Sequence, residues 1–286
     1  MSELIIKTRD ALLQAGISPR KSLSQNFLIN KDVLNRQIKY ANLTEEDIVL
    51  EIGGGTGLLT EQLAKAAGKV YSIEYDRKLA QYLKRKFHSH NNVTILAGDA
   101  LKLDYPKVTK FIANLPYHIS SPITFRLLDH DFELAIFMYQ YEFARRMVAK
   151  PRTADYSRLS ANLQFQAEVE ILERVPRNCF LPMPKVDSAL VQIKLRKEEL
   201  PISKKYYRIT SRILFNTKNK FVCSVLYDYF KRIIPKEERI VFKRQLDESL
   251  SFAKSRVREL SVEDLVKTTG EIMEFLQASN QLNLLK

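Results

Sequence analysis

Four consecutive residues, Asn114-Leu115-Pro116-Tyr117, combine groups that could do chemistry on a flat, amine-bearing ring. The Asn114 carboxamide oxygen and the Leu115 carbonyl are two acceptors that could grip one amine. Tyr117 could stack on the ring that carries it. Pro116 has no N–H and fixes its own φ, which stiffens the backbone between them. The bland alternative is a turn that ends a strand.

The elements around this motif decide between the two. Phe111-Ile112-Ala113 reads as a buried strand delivering Asn114 to the carboxyl edge of a sheet, where open α/β sheets bind ligands. Upstream, Asp47–Ile52 is a buried-type strand running into Gly53-Gly54-Gly55-Thr56-Gly57, and a helical pattern begins at Leu58. Such glycines allow positive φ and let the backbone approach a ligand closely. Val70–Glu74 is a second strand, ending in a carboxylate placed for two ribose hydroxyls. After a basic helix through Phe87, Val93–Leu96 is a third strand, followed by Gly98-Asp99-Ala100. Glycine loop, Glu74, Asp99 and Asn114 thus fall on successive βα units. A dinucleotide enzyme is one reading. The pattern Glu51-x-Gly53-x-Gly55-x-Gly57 resembles the cofactor loop of S-adenosylmethionine-dependent methyltransferases.

The rest of the chain supplies supporting elements. Residues 3–15 suggest a short basic helix that Gly16 can cap, and Asn30 or Asp32 can N-cap a helix through about Tyr40. Pro122 suits the first turn of a helix starting at Ser120. Leu134–Tyr139, Val169–Val175 and Ala189–Leu195 read as further strands, and Tyr141–Val148 and Leu159–Ala167 as helices. Composition shifts near Lys197-Glu198-Glu199-Leu200-Pro201, and beyond it the chain reads as helical, with Pro235 and Gly270 as punctuation. This predicts two domains, residues 1–197 and 198–286.

Composition narrows the partner. The 286-residue chain carries a formal net charge of +13, which suggests a polyanion, most often nucleic acid. Arg208, Arg212, Lys218 and Lys220 are the expected footprint. An anionic membrane would call for a basic amphipathic helix with bulky anchors, which is not evident, and no apolar run reaches spanning length. Cys179 and Cys223 form no paired motif, and His88, His90, His118 and His130 have no metal-site spacing, so no metal is expected. Residues 1–10 show no apolar signal segment, and a reducing cytoplasm fits.

Several stretches together resemble the KsgA-type ribosomal RNA adenine dimethyltransferases. They are Ser22–Leu28, Glu51–Gly57, Glu74, Gly98-Asp99-Ala100, Asn114–Tyr117 with Ile119-Ser120, and Phe180-x-Pro182-x-Pro184-x-Val186-x-Ser188-Ala189, with Glu259-Leu260-Ser261 a weaker match. The resemblance implies an α/β fold: a Rossmann-like S-adenosylmethionine-dependent methyltransferase domain with a mostly parallel sheet, then a small helical domain that docks RNA. It implies S-adenosyl-L-methionine contacts at Asn26, Leu28, Gly53, Gly55, Glu74, Asp99 and Asn114. It implies catalysis by Asn114, Leu115, Pro116 and Tyr117, with Phe180 clamping the opposite face of the target base. Ser24, His118 and Ser157 depart from the family pattern, in which Gly, Asn and Gly are usual. The implied activity is dimethylation of two adjacent adenosines in the 3′-terminal hairpin loop of small-subunit rRNA, by a cytoplasmic monomer acting on the 30S particle. A resistance-type large-subunit rRNA methyltransferase and an assembly factor acting mainly by binding are the rivals. Ser121-Pro122 and Lys185–Ala189 look more like the small-subunit enzymes.

Overall fold

A computed structural model describes residues 3–19, 25–278 and 285. Ser22, Leu23 and the departure at Ser24 lie outside the described residues. By internal contacts the chain divides into two units, residues 1–144 with 167–195, and residues 145–166 with 196–286.

In the first unit α1 (Glu3–Ala15) precedes a two-residue strand, β1 (Phe27–Leu28). Next comes α2 (Lys31–Ala41), N-capped by the Asn30 side chain, which accepts from the backbone N–H groups of Asp32 and Val33. Then β2 (Ile48–Ile52), α3 (Leu58–Ala66), β3 (Lys69–Glu74), α4 (Arg77–Lys86), β4 (Val93–Ala97) and β5 (Lys110–Asn114) alternate. A 3₁₀ turn over Tyr117–Ile119 leads into α5 (Ser120–Leu127) and β6 (Leu134–Gln140). Beyond α6 (Tyr141–Met147) and α7 (Arg158–Gln166), the first unit resumes with β7 (Ala167–Val175), β8 (Phe180–Leu181) and β9 (Ser188–Leu195).

Seven strands form one sheet in the order β4-β3-β2-β5-β6-β9-β7. The pairs from β4 to β6 are parallel, and β9 runs antiparallel to both β6 and β7. The central strands are apolar and buried along nearly their whole length, as strands covered on both faces must be. From β2 the chain first adds β3 and β4 on one side, then crosses to add β5 and β6 on the other. The crevice at the carboxyl ends of β2 and β5 is therefore the topological switch point. The short strands β1 and β8 pair separately, Phe27 with Leu181 and Leu28 with Phe180. Two residues carry no periodicity, so this pairing left no signal in the sequence.

The second unit is helical. It holds α7, α8 (Lys204–Leu214), α9 (Val222–Phe230), α10 (Arg239–Ser249) and α11 (Val262–Ala278) around a core that includes Tyr156, Tyr207, Phe230 and Phe242. Phe165 stacks on Tyr207 with centroids 3.8 Å apart, and the Tyr207 hydroxyl donates to Ala161 O at 3.1 Å. Segment 145–166 groups with the C-terminal helices, not with the 1–197 domain expected from the sequence, because its aromatic residues Tyr156 and Phe165 belong to that core. Pro235 does separate α9 from α10. Gly270 instead lies inside α11, a correction: the apolar period of Leu265, Ile272 and Leu276 carries the helix through a glycine that costs about 1 kcal/mol against alanine.

Candidate active site at the sheet's carboxyl edge

The Gly53 N–H donates to Ile73 O at 2.8 Å, and its φ is +85°. A side chain there would meet Pro116 Cδ at 3.4 Å, so the glycine lets the first crossover lie against the turn after β5. Gly55, at φ +55°, donates its N–H to Glu74 Oε2 at 2.8 Å, and a Cβ would press on the Phe27 ring at 3.2 Å. The other Glu74 oxygen accepts from Asp76 N–H at 2.7 Å. Burial raises the Glu74 carboxyl above its ordinary range, against the pull of these N–H donors.

Beneath the loop sits Glu51, fully buried. Its Oε2 accepts from the Thr60 hydroxyl at 2.6 Å and the Ser72 hydroxyl at 2.7 Å, and Oε1 has no partner. Burial pushes the acid up to about 7, although the two hydroxyls oppose the shift. In the sequence Glu51 was only one letter of the glycine pattern. The hydroxyls that orient it come from α3 and β3, at no spacing a linear reading would single out.

The Gly98 N–H donates to Glu74 O at 2.9 Å, which carries the chain into the turn of Asp99. Asp99 Oδ1 accepts from Leu101 N–H at 2.9 Å. At the end of β5 the Asn114 Oδ1 is buried and has no hydrogen-bond partner. The Tyr117 hydroxyl and Ser188 Oγ lie 2.7 Å apart, and burial raises the Tyr117 phenol above its usual range while Ser188 opposes this. Phe180 is both buried core and cavity wall, held by its pairing with Leu28 and by the bond from Ile29 N–H to Cys179 O. His118 is exposed beside the motif.

All these positions converge. Asn26, Leu28, Gly53, Gly55, Glu74, Asp99, Asn114, Leu115, Pro116, Tyr117 and Phe180 line one cavity of about 350 Å³, together with Glu51, Leu101, Met138 and His118. The wall is mostly apolar with a few convergent polar groups, as small-molecule sites are. Two carboxylates, the orphaned Glu51 Oε1 and the orphaned Asn114 Oδ1 suit a ligand with cationic and amine-bearing ends. Such is the chemistry of S-adenosyl-L-methionine, with its ammonium, sulfonium and adenine amine. Among the described residues no cluster of His, Cys, Asp or Glu could hold a metal ion, and no helix is long and apolar enough to cross a membrane.

A glycine loop at the switch point, acids ending the neighbouring strands and a carboxamide ending β5 define an S-adenosyl-L-methionine-dependent methyltransferase. Residues 16–267 match the model of the ribosomal RNA adenine dimethylase family, and the chain belongs to that family. It is thus an enzyme that methylates adenine in ribosomal RNA. The probable ribosomal RNA small subunit methyltransferase A of Thermococcus sibiricus is 41% identical over 265 residues, 92% of this chain and 93% of that protein. The crystal structure of a dimethyladenosine transferase from Plasmodium falciparum superposes with a TM-score of 0.76 at 30% identity, covering 88% of this chain and 98% of that one. The 23S rRNA methyltransferase ErmE superposes with a TM-score of 0.64 at 31% identity, covering 86% and 99%.

Two cations of the expected RNA footprint also have partners inside the protein. The Lys218 ammonium donates to Ala154 O and Tyr156 O, both at 2.8 Å, and so pins a turn within the second unit. Lys220 pairs with Asp228 at 3.1 Å. Ser157 closes the turn before α7, where its N–H donates to Ser160 Oγ at 3.1 Å.

Proposed function

We propose that the enzyme dimethylates the exocyclic amines of two adjacent adenosines in the 3′-terminal hairpin loop of small-subunit rRNA. The carrying observation is the Asn114 Oδ1, an amide oxygen buried at the end of β5, on a residue that lines the cavity, with no partner among the described residues. A buried acceptor left unpaired costs stability, and it persists where a ligand supplies the donor. An adenine amine is a poor nucleophile because its lone pair is delocalised into the ring. Asn114 Oδ1 and the Leu115 carbonyl each accept one amine hydrogen, which draws the nitrogen toward tetrahedral geometry and localises the lone pair. Tyr117 and Phe180 hold the two faces of the base. S-adenosyl-L-methionine, when bound, supplies a sulfonium methyl. Glu74 takes the ribose hydroxyls, Asp99 the adenine amine, and the backbone near Gly53 the methionine end. No strong base is needed, since the nitrogen sheds its proton after methylation. Alignment and preset acceptors provide the rate enhancement. The target base must leave its stack, which favours a loop adenosine.

The small-subunit target is favoured over the large-subunit one by the Thermococcus relative, whose likeness spans nearly the full length of both chains. The rRNA is met within the 30S particle by a monomer in the cytoplasm. The exposed cations Arg232, Lys236, Lys243, Arg244 and Lys254 of the second unit replace Lys218 as the phosphate-binding surface. The test is to incubate the enzyme and methyl-labelled cofactor with unmodified small and large ribosomal subunits and map the label. Two dimethylated adenosines in the small subunit's 3′ hairpin are expected. Label confined to the large subunit would overturn the reading, and no label at all would favour the assembly-factor role.

A further inference from the structure

Arg126, in the last turn of α5, lines no part of the cavity, yet its guanidinium grips the turn that does. Nη1 donates to Leu101 O at 2.7 Å and Nη2 to Leu103 O at 2.6 Å. The guanidinium carbon lies 4.6 Å from the centroid of the Tyr105 ring, whose hydroxyl donates to Ala100 O at 2.6 Å. His130 also stacks on that ring, with centroids 4.8 Å apart. Residues 98–105 belong to no strand or helix, so these carbonyls need side-chain donors. The same turn closes on Asp99: Lys102 and Leu103 donate their N–H groups to Asp99 O, and Leu101 donates to Asp99 Oδ1. One peptide chain segment therefore has its carbonyls tied to Arg126 and its N–H groups tied to Asp99. A planar fork is what spans two carbonyls at fixed spacing, and an ammonium does not.

The geometry points to Arg126 as the positioning residue for recognition of the methyl donor's purine. By fixing the carbonyls of Leu101 and Leu103, it aims the Asp99 carboxylate at a 6-amino group and so selects adenine over a 6-oxo purine. This rests on the reading of Asp99 as the cofactor's adenine acceptor. A carboxylate held in place accepts from an amine and is left facing a carbonyl oxygen in the 6-oxo analogue. A mobile turn loses that contrast.

Calorimetric titration of S-adenosylhomocysteine and S-inosylhomocysteine into the full chain provides the test. The parent is expected to prefer the adenosyl ligand by roughly tenfold or more, the net size of one hydrogen bond to a charged group. Arg126→Gln and Arg126→Lys are expected to weaken adenosyl binding about tenfold, leave inosyl binding nearly unchanged, and so collapse the preference toward unity. Tyr105→Phe, which deletes one hydroxyl and keeps the ring, is expected to cut the preference roughly threefold, and it decides the matter if the Arg126 variants do not fold. Folded variants that keep the parent's preference, or lose both ligands equally, overturn the positioning role while leaving the cofactor site intact. A parent that binds the two ligands alike overturns the Asp99 reading and this inference together.

Discussion

The two walls of the cavity are built differently. On the cofactor side the protein supplies donors to its own acidic groups, with Glu51 Oε1 alone among those acids' named oxygens left unpaired by the described residues. Glu74 accepts from Gly55 and Asp76, Glu51 Oε2 from Thr60 and Ser72, and Asp99 from Leu101. On the base side the Asn114 carboxamide oxygen is buried with nothing to accept from, and only the rings beside it are anchored. The contrast separates two tasks. A wall that holds its shape without ligand presents a ready surface to a diffusible cofactor. An acceptor kept unpaired spends its interaction on the reacting amine, where it can lower the barrier.

Breaking the base wall has the largest expected effect. Asn114→Ala should lower single-turnover methylation by on the order of a hundredfold or more, with cofactor and RNA both saturating, as losing one transition-state contact does elsewhere. Equal rates for variant and parent would remove the distinction between the walls. Breaking the cofactor wall should act on binding instead. Glu74→Ala frees the Gly55 N–H and removes the acceptor for the ribose, so calorimetry should show cofactor affinity down by roughly tenfold or more with RNA affinity unchanged.

Glu51 sharpens the contrast through pH. Its carboxyl is raised from an ordinary value to about 7, so the folded state favours the protonated acid. The associated stability is fully present below the ordinary carboxylate range and is lost as pH rises through about 7. Glu51→Gln should abolish this loss. Denaturant unfolding of the ligand-free protein should show the variant gaining on the parent between pH 5 and 8, by up to on the order of 3 kcal/mol. A pH-independent difference would contradict the assignment. The smallest effect is expected at Ser188, whose hydroxyl anchors the Tyr117 ring. Ser188→Ala should slow methylation about three- to tenfold without touching cofactor affinity, and Tyr117→Phe should add little to it in the double variant.

What could be read from the chain differs between the walls for the same reason. The cofactor wall is made where consecutive strands end: Glu74 closes β3, and Gly53 and Asp99 follow β2 and β4 by one and two residues. Short apolar runs, glycine spacing and one topological rule were enough to bring them together. The remainder depends on contacts across the chain. Ser188 reaches Tyr117 over 71 positions, and Arg126 reaches Leu101 over 25. The pairing of Phe27–Leu28 with Phe180–Leu181 is too short to show any period, yet it delivers Phe180 to the cavity. Exposure was equally hidden. Lys218 looked like part of a basic surface, and only the fold shows its ammonium turned onto two carbonyls. Segment 145–166 likewise looked continuous with the strands around it until its aromatic residues were found in the helical core.

On this mechanism Asn114 Oδ1 and the Leu115 carbonyl together shape the target amine. A crystal structure of the enzyme with S-adenosylhomocysteine and an RNA hairpin carrying the target adenosines tests it directly. The flipped adenine is expected between Tyr117 and Phe180, its 6-amino nitrogen about 3 Å from both oxygens. An amine directed elsewhere, with Asn114 Oδ1 still unpaired, would contradict it.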